Sequence, residues 1–158
     1  MLFLGFPQFY SSSLVKFTAV VTAAHCVYDV INIKSVTVTA GHIKSGFNWN
    51  PETEKHYQSR RAAKIIVHSG FDLSNVENDI AIILLDSPFD NTRWISPAYL
   101  PSPKLSLVVG DSVLITGWGE KRNGNQPTLL QAARITIAAH KQCNDAYADY
   151  YGVEFSMD

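Results

Sequence analysis

Only two cysteines, Cys26 and Cys143, occur in the 158 residues. That is too few for a scaffold built on disulfides, and two thiols alone say nothing about redox compartment. Long hydrophobic runs are also missing: none nears the roughly 18 apolar residues a membrane-spanning helix needs. Charge of one sign is not in excess, since 13 Lys and Arg face 14 Asp and Glu for a net charge of -1. Electrostatics therefore gives no reason to expect nucleic acid or an anionic membrane as partner. No long stretch repeats at helical spacing, which argues against a helical bundle.

What is present supports a folded domain. Hydrophobic residues make up 46% and charged residues 17%, enough apolar material for a packed core and too much for disorder. The length suits one ordinary domain or two small lobes. The opening MLFLGFPQFY imitates a signal peptide, yet it lacks a basic start, and Pro7 and Gln8 interrupt its apolar stretch. The small residues AVVTAA at 19–24 imitate a cleavage site, but cutting there would remove the strand that leads to His25. Neither reads as a leader.

Short alternating segments bounded by Gly, Asn, Asp, Ser or Pro predict strands at 19–22, 36–40, 62–67, 80–84, 112–116 and 132–138. Many short strands joined by irregular loops predict an all-β barrel or sandwich. Residues 140–149 read as a short helix, with Cys143 and Tyr147 on one face. The stretch 86–104 holds four of the seven prolines and reads as an extended connection between two lobes.

Two residues stand out for chemistry. His25 lies in the segment VTAAHC, followed by Cys26, and Asp79 sits in NDIAIILL immediately before a strongly apolar strand. Taken singly, a His after a strand or an Asp before one is an ordinary structural residue. Together with their flanks they resemble the histidine and aspartate signatures of the chymotrypsin/trypsin-like serine protease family. Ala40-Gly41-His42, the segment AAKIIVH at 62–68 and Thr116-Gly117-Trp118-Gly119 resemble further family features, in the family's order. The chemistry suits these residue types. A serine hydroxyl needs an adjacent base, imidazole titrates near neutral pH, and a buried carboxylate holds the ring in the productive tautomer.

The resemblance implies a chymotrypsin-like double β-barrel, with the first barrel nearly complete but for its first strand, the second barrel truncated, and one short helix. Residues 1–85 would form the first barrel, 86–104 the connection and 105–158 the start of the second. It also implies a serine-type endopeptidase in which His25 is the base and Asp79, buried at its strand's start, is the orienting carboxylate.

The nucleophile is not found. The family's Gly-Asp-Ser-Gly-Gly loop does not occur, and Gly110-Asp111-Ser112 continues as Val-Leu-Ile just before the Gly-Trp-Gly turn. Ser112 is thus a decoy, and the chain is expected to be cut short at both ends and inactive as written. Tyr10 falls where the family has the cysteine that pairs with the one after the histidine, and the partner expected for Cys143 is not in the chain, so two free thiols are expected. Ser11-Ser12-Ser13-Leu14 replaces the family's Gly-Gly-Ser-Leu, and the activation-site motif is missing. The alternative reading is a non-catalytic protease homologue acting as a binding or regulatory module; an unrelated β-rich binding protein would require His25 and Asp79 to lie far apart.

No cofactor or metal is expected. His42, His56, His68 and His140 lack ligand spacing, and the surroundings of Glu52 and Glu54 do not match the calcium loop of some trypsins. Arg60-Arg61 reads as a solvated pair on a loop. The resemblance implies protein or peptide substrates, protein inhibitors as further partners, and an extracellular, secreted location, with no role for nucleic acid or membrane.

Overall fold

A computed structural model of the chain describes residues 2–5, 9–45 and 55–151. Glu52 and Glu54 lie outside the described residues. Two compact units are present, one of Met1–Leu100 with Gly117–Leu130, the other of Pro101–Thr116 with Gln131–Asp158.

In the first unit six strands close into a barrel: β1 (Leu2–Gly5), β2 (Phe9–Lys16), β3 (Ala19–Thr22), β4 (Thr37–Ala40), β5 (Gln58–Val67) and β6 (Ala81–Leu85). Their order is β1-β2-β3-β6-β5-β4, every pairing is antiparallel, and β4 returns to β1. The alternation of side chains across the sheet explains which residues turn inward. Ala81, Ile83 and Leu85 of β6 are buried while Ile82 between them is exposed, and Val20 of β3 sits opposite Ile83. Val20, Val36, Val38 and Ile83 are fully enclosed. Each such side chain contributes about 1.5–3 kcal/mol by leaving water. Register shifts between Ala62 and Lys64 of β5, and between Leu14 and Lys16 of β2, supply the local bending that closing a sheet requires.

Three sequence readings change here. The barrel does not lack its first strand: Leu2–Gly5 fills that place, paired with β2 on one side and β4 on the other. β2 itself was not among the expected strands because its inward positions are Ser12 and Leu14, so a serine carries half of the apolar alternation. Arg60 and Arg61 lie within β5, not on a loop. Arg60 donates to the carbonyls of Pro88 and Ser59 and to Gln58, and its guanidinium stands 3.4 Å from Asp90.

The segment after β6 packs on this barrel. Phe89 and Ile95 belong to its core, and the amides of Phe89 and Ala98 donate to the carbonyls of Phe17 and Leu14. Gly41 follows β4 at φ +88°, and a Cβ there would stand 2.1 Å from the carbonyl oxygen of His56. Only glycine satisfies both demands. His42 beside it is buried: its Nδ1 lies 3.1 Å from the Lys44 carbonyl, and its Nε2 3.1 Å from the Thr39 hydroxyl. A carbonyl only accepts, so Nδ1 carries a proton and donates to it, while Nε2 shares a hydrogen bond with the Thr39 hydroxyl.

The second unit holds a two-stranded sheet of β7 (Ser112–Gly117) and β8 (Gln131–Thr136), then helix α1 (His140–Tyr151). The sheet is largely exposed, Leu114 at 61% and Ile115 at 49%. Asp111 ties the turn before β7, its carboxylate accepting from the Val108 amide and its own amide donating to the Val108 carbonyl. Among the described residues, no helix is long and apolar enough to cross a membrane.

Candidate active site

The barrel register brings the two singled-out residues together. Thr22, the last residue of β3, pairs with Ala81, the first of β6. His25 follows shortly after the first and Asp79 shortly precedes the second, so both emerge at one end of the same strand pair. After β3 the chain makes a 3-10 turn at Ala24–Cys26. Ala24 and Val27 are buried and the Val27 amide donates to the Ala24 carbonyl. This pins the turn to the core and projects His25 outward. On the other side, Asn78 adopts φ +52°, its side-chain amide donates to the Gly70 carbonyl, and the Ile80 amide donates to the Asn78 carbonyl. Val76 also has positive φ, at 56°, an uncommon state for a β-branched residue.

His25 Nδ1 stands 2.6 Å from Asp79 Oδ2, and the His25 amide donates to Asp79 Oδ1 at 2.8 Å. The Asp79 carboxylate is thus held at both oxygens. Burial pushes its pKa up, but the His25 amide, the His25 ring and the Ala24 amide outweigh this, and the net value lies below the usual range. The carboxylate is therefore ionised and only accepts, so Nδ1 bears the proton, and in the neutral tautomer Nε2 is then the acceptor. Asp79 is half-buried, with 19% of its side chain exposed, and His25 is 47% exposed. This corrects the expectation of a buried carboxylate. Asp79 precedes β6 rather than lying in it, and core burial begins at Ala81.

Two neighbours of the ring were not anticipated. Cys26 Sγ lies 3.4 Å from His25 Nε2, and the Tyr10 ring meets the imidazole edge-on at 6.4 Å between centroids. Burial, then the Asp79 charge, push the Cys26 thiol up to about 11 against an opposing hydrogen bond with Thr22. Cys26 is adjacent in sequence to His25, so the signal lay in that spacing; Tyr10 reaches the ring only through the β2–β3 pairing. Cys26 and Cys143 are both free thiols. Ser112 opens β7 in the second unit. Among the described residues, no three His, Cys, Asp or Glu gather as a metal site.

A closed antiparallel barrel that presents an imidazole held by a carboxylate at one end of a strand pair defines the class of fold and site. Comparisons narrow the class. The Trypsin family pattern matches residues 5–157. The chain is 30% identical over 149 residues to "Trypsin-1" of Astacus astacus, covering 92% of this chain and 60% of that protein. It is 32% identical over 138 residues to "Transmembrane protease serine 11B" of Homo sapiens, covering 87% of this chain and 31% of that one. A solved chain described as "Structure of GrC" superimposes with a TM-score of 0.79 at 26% identity, over 95% of this chain and 65% of that one. The chain belongs to the trypsin family, a family of serine endopeptidases with the chymotrypsin-like double barrel. It spans less than two thirds of the length of each of these relatives.

Proposed function

We propose that the chain supplies the general base and its orienting group for a serine endopeptidase. The 2.6 Å contact between His25 Nδ1 and Asp79 Oδ2 carries this reading. Asp79 accepts a hydrogen bond from Nδ1–H and fixes the tautomer. Nε2 then takes the proton of an attacking serine hydroxyl and returns it to the leaving amine, while Asp79 stabilises the imidazolium between the two steps. The substrates are proteins or peptides, protein inhibitors are further partners, no cofactor is needed, and the compartment is extracellular. Residues 1–158 contain no serine in the family's nucleophile motif, so this segment alone is inactive.

The first test is a serine-directed fluorophosphonate, which should leave the chain unlabelled. Stoichiometric labelling mapped to any of its serines, Ser112 included, would overturn the assignment. The second test is proton NMR. A short charged hydrogen bond shifts the shared proton far downfield, so the chain should show such an Nδ1 resonance and Asp79→Asn should lose it. If the variant keeps that resonance, Asp79 is not the orienting group.

A second reading, a non-catalytic homologue that binds rather than cleaves, is favoured by one contact. The Cys26 thiol faces Nε2, the atom a nucleophile would need. Cys26→Ala should leave substrate binding unchanged and bring no cleavage if this reading holds; cleavage of a peptide substrate with Cys26 intact would refute it.

A further inference from the structure

The thiol beside the His25–Asp79 pair takes no part in the proton transfer proposed above. Cys26 is a free cysteine, and its Sγ lies 3.4 Å from His25 Nε2. Three local features fix that meeting. Buried Ala24 and Val27 bracket the two residues and pin their turn to the core. Asp79 holds both the amide and the Nδ1 atom of His25, at 2.8 and 2.6 Å. The thiol also meets the side chain of Thr22, the last residue of β3. Sulfur and nitrogen are thus set beside each other before any ligand arrives.

Their spacing is that of a chelate. A tetrahedral zinc ion binds thiolate sulfur at about 2.3 Å and imidazole nitrogen at about 2.0–2.1 Å. At the tetrahedral angle those bonds put sulfur and nitrogen about 3.6 Å apart, close to the observed 3.4 Å. The tautomer fits as well. With Nδ1 protonated toward Asp79, the neutral ring offers Nε2. A metal-binding imidazole usually donates its other N–H to a carboxylate, which fixes the ring and raises its basicity. Asp79 already stands in that position. His25 is exposed and Cys26 half-buried, so an ion can reach both atoms and keep water in its remaining positions.

We propose that Cys26 Sγ and His25 Nε2 form a two-ligand site for a borderline-soft divalent cation of the kind typified by Zn²⁺, with Asp79 orienting the imidazole from behind. On binding, one metal–sulfur and one metal–nitrogen bond form, the thiol proton passes to solvent, bound waters leave the ion, and no electron moves. Hard cations such as Mg²⁺ and Ca²⁺ take oxygen ligands and do not suit a thiol and an imidazole. The bound ion occupies Nε2 and is therefore a reversible block on proton transfer by His25. That consequence rests on the catalytic reading; the site itself does not, because binding is measured without turnover.

The experiment is titration of the reduced chain with Co²⁺, whose bond to a thiolate gives a near-ultraviolet charge-transfer band. The band should appear with a Kd of about 1–100 μM, fade as Zn²⁺ competes, and persist in excess Mg²⁺ or Ca²⁺. Cys143→Ser should keep it and Cys26→Ser should abolish it. His25→Gln should weaken binding by about tenfold or more, and Asp79→Asn by about 10–100-fold, each variant being checked for unchanged thermal unfolding. No band below about 1 mM Co²⁺ would overturn the proposal. So would a band that survives Cys26→Ser or vanishes with Cys143→Ser, or unchanged affinity in His25→Gln or Asp79→Asn. A missing cobalt band in a metal-free chain that shows the downfield Nδ1 resonance rejects the metal site alone and leaves the catalytic reading standing.

Discussion

The two units solve the same problem with unequal success. In the first, β1 closes on β4, so each of the six strands is hydrogen-bonded on both sides and the inward residues form one buried cluster. Closure removes the edges that a sheet would otherwise offer to another chain. In the second, β7 and β8 pair only with each other among the described residues, and apolar side chains such as Leu114, Ile115 and Ile135 stay exposed. A two-stranded sheet is marginal in water without a packed face. Composition alone does not separate the units, since both are rich in Val, Ile and Leu. The difference is whether the apolar face of each strand meets another.

The contrast can be broken first in the cores. Ile83→Ala in the first unit should cost about 2–5 kcal/mol in denaturant unfolding, because the site is enclosed and leaves a cavity. Ile115→Ala in the second should stay within about 0.5 kcal/mol. Equal costs would show that the second unit buries Ile115 in solution.

Next come two glycines with positive φ. Gly41→Ala should cost about 3 kcal/mol, from left-handed strain and collision with the His56 carbonyl. Gly110→Ala has φ +98° but open space around it, so it should cost about 1 kcal/mol. Thermal unfolding of both variants checks the ranking, and a reversed order would mean that the turn after β4 is looser than described.

The thiols sharpen the comparison kinetically. Titration of denatured, unreduced chain should find both cysteines free. In the folded chain Cys143 is exposed and Cys26 half-buried. With its pKa raised to about 11, Cys26 carries far less thiolate at neutral pH than an ordinary thiol. Its labelling should therefore be slower than that of Cys143 by about two orders of magnitude. Comparable rates would mean that the turn holding His25 opens readily.

The Asp79 carboxylate gives a smaller, pH-dependent effect. Its folded pKa is depressed, so its contribution to stability is present above the unfolded value of about 3.9 and is lost as pH falls through the folded one. The stability gap between the chain and Asp79→Asn should hold at neutral pH and shrink in acid; a gap that grew in acid would contradict this. Least of all, Lys141→Ala removes an exposed i,i+4 pair with Asp145 and should change stability by no more than about 0.5 kcal/mol.

How much of this was legible without coordinates depends on where each signal resides. The strands at 19–22 and 80–84 were visible because buried strands are apolar, β-branched and sharply bounded, and β3 and β6 fall within a residue of the expected limits. β2 was not, because an inward serine hides its alternation, and β1 was not, because four residues next to a proline resemble a broken leader as much as a strand. His25 and Asp79 could be named from their flanking motifs, since the residues that build the turn and the strand start lie next to them in the chain. Their 2.6 Å approach, however, rests on the pairing of Thr22 with Ala81, a long-range register. The same holds for the partial exposure of Asp79, the approach of Tyr10 to the imidazole, and the stacking of His56 on Trp94. Local sequence determines which groups can do chemistry, because pKa, hydrogen-bonding capacity and turn preference belong to the residue and its neighbours. Which groups meet was decided by the closed barrel, because distance between residues far apart in the chain is a property of strand pairing and of the core that enforces it.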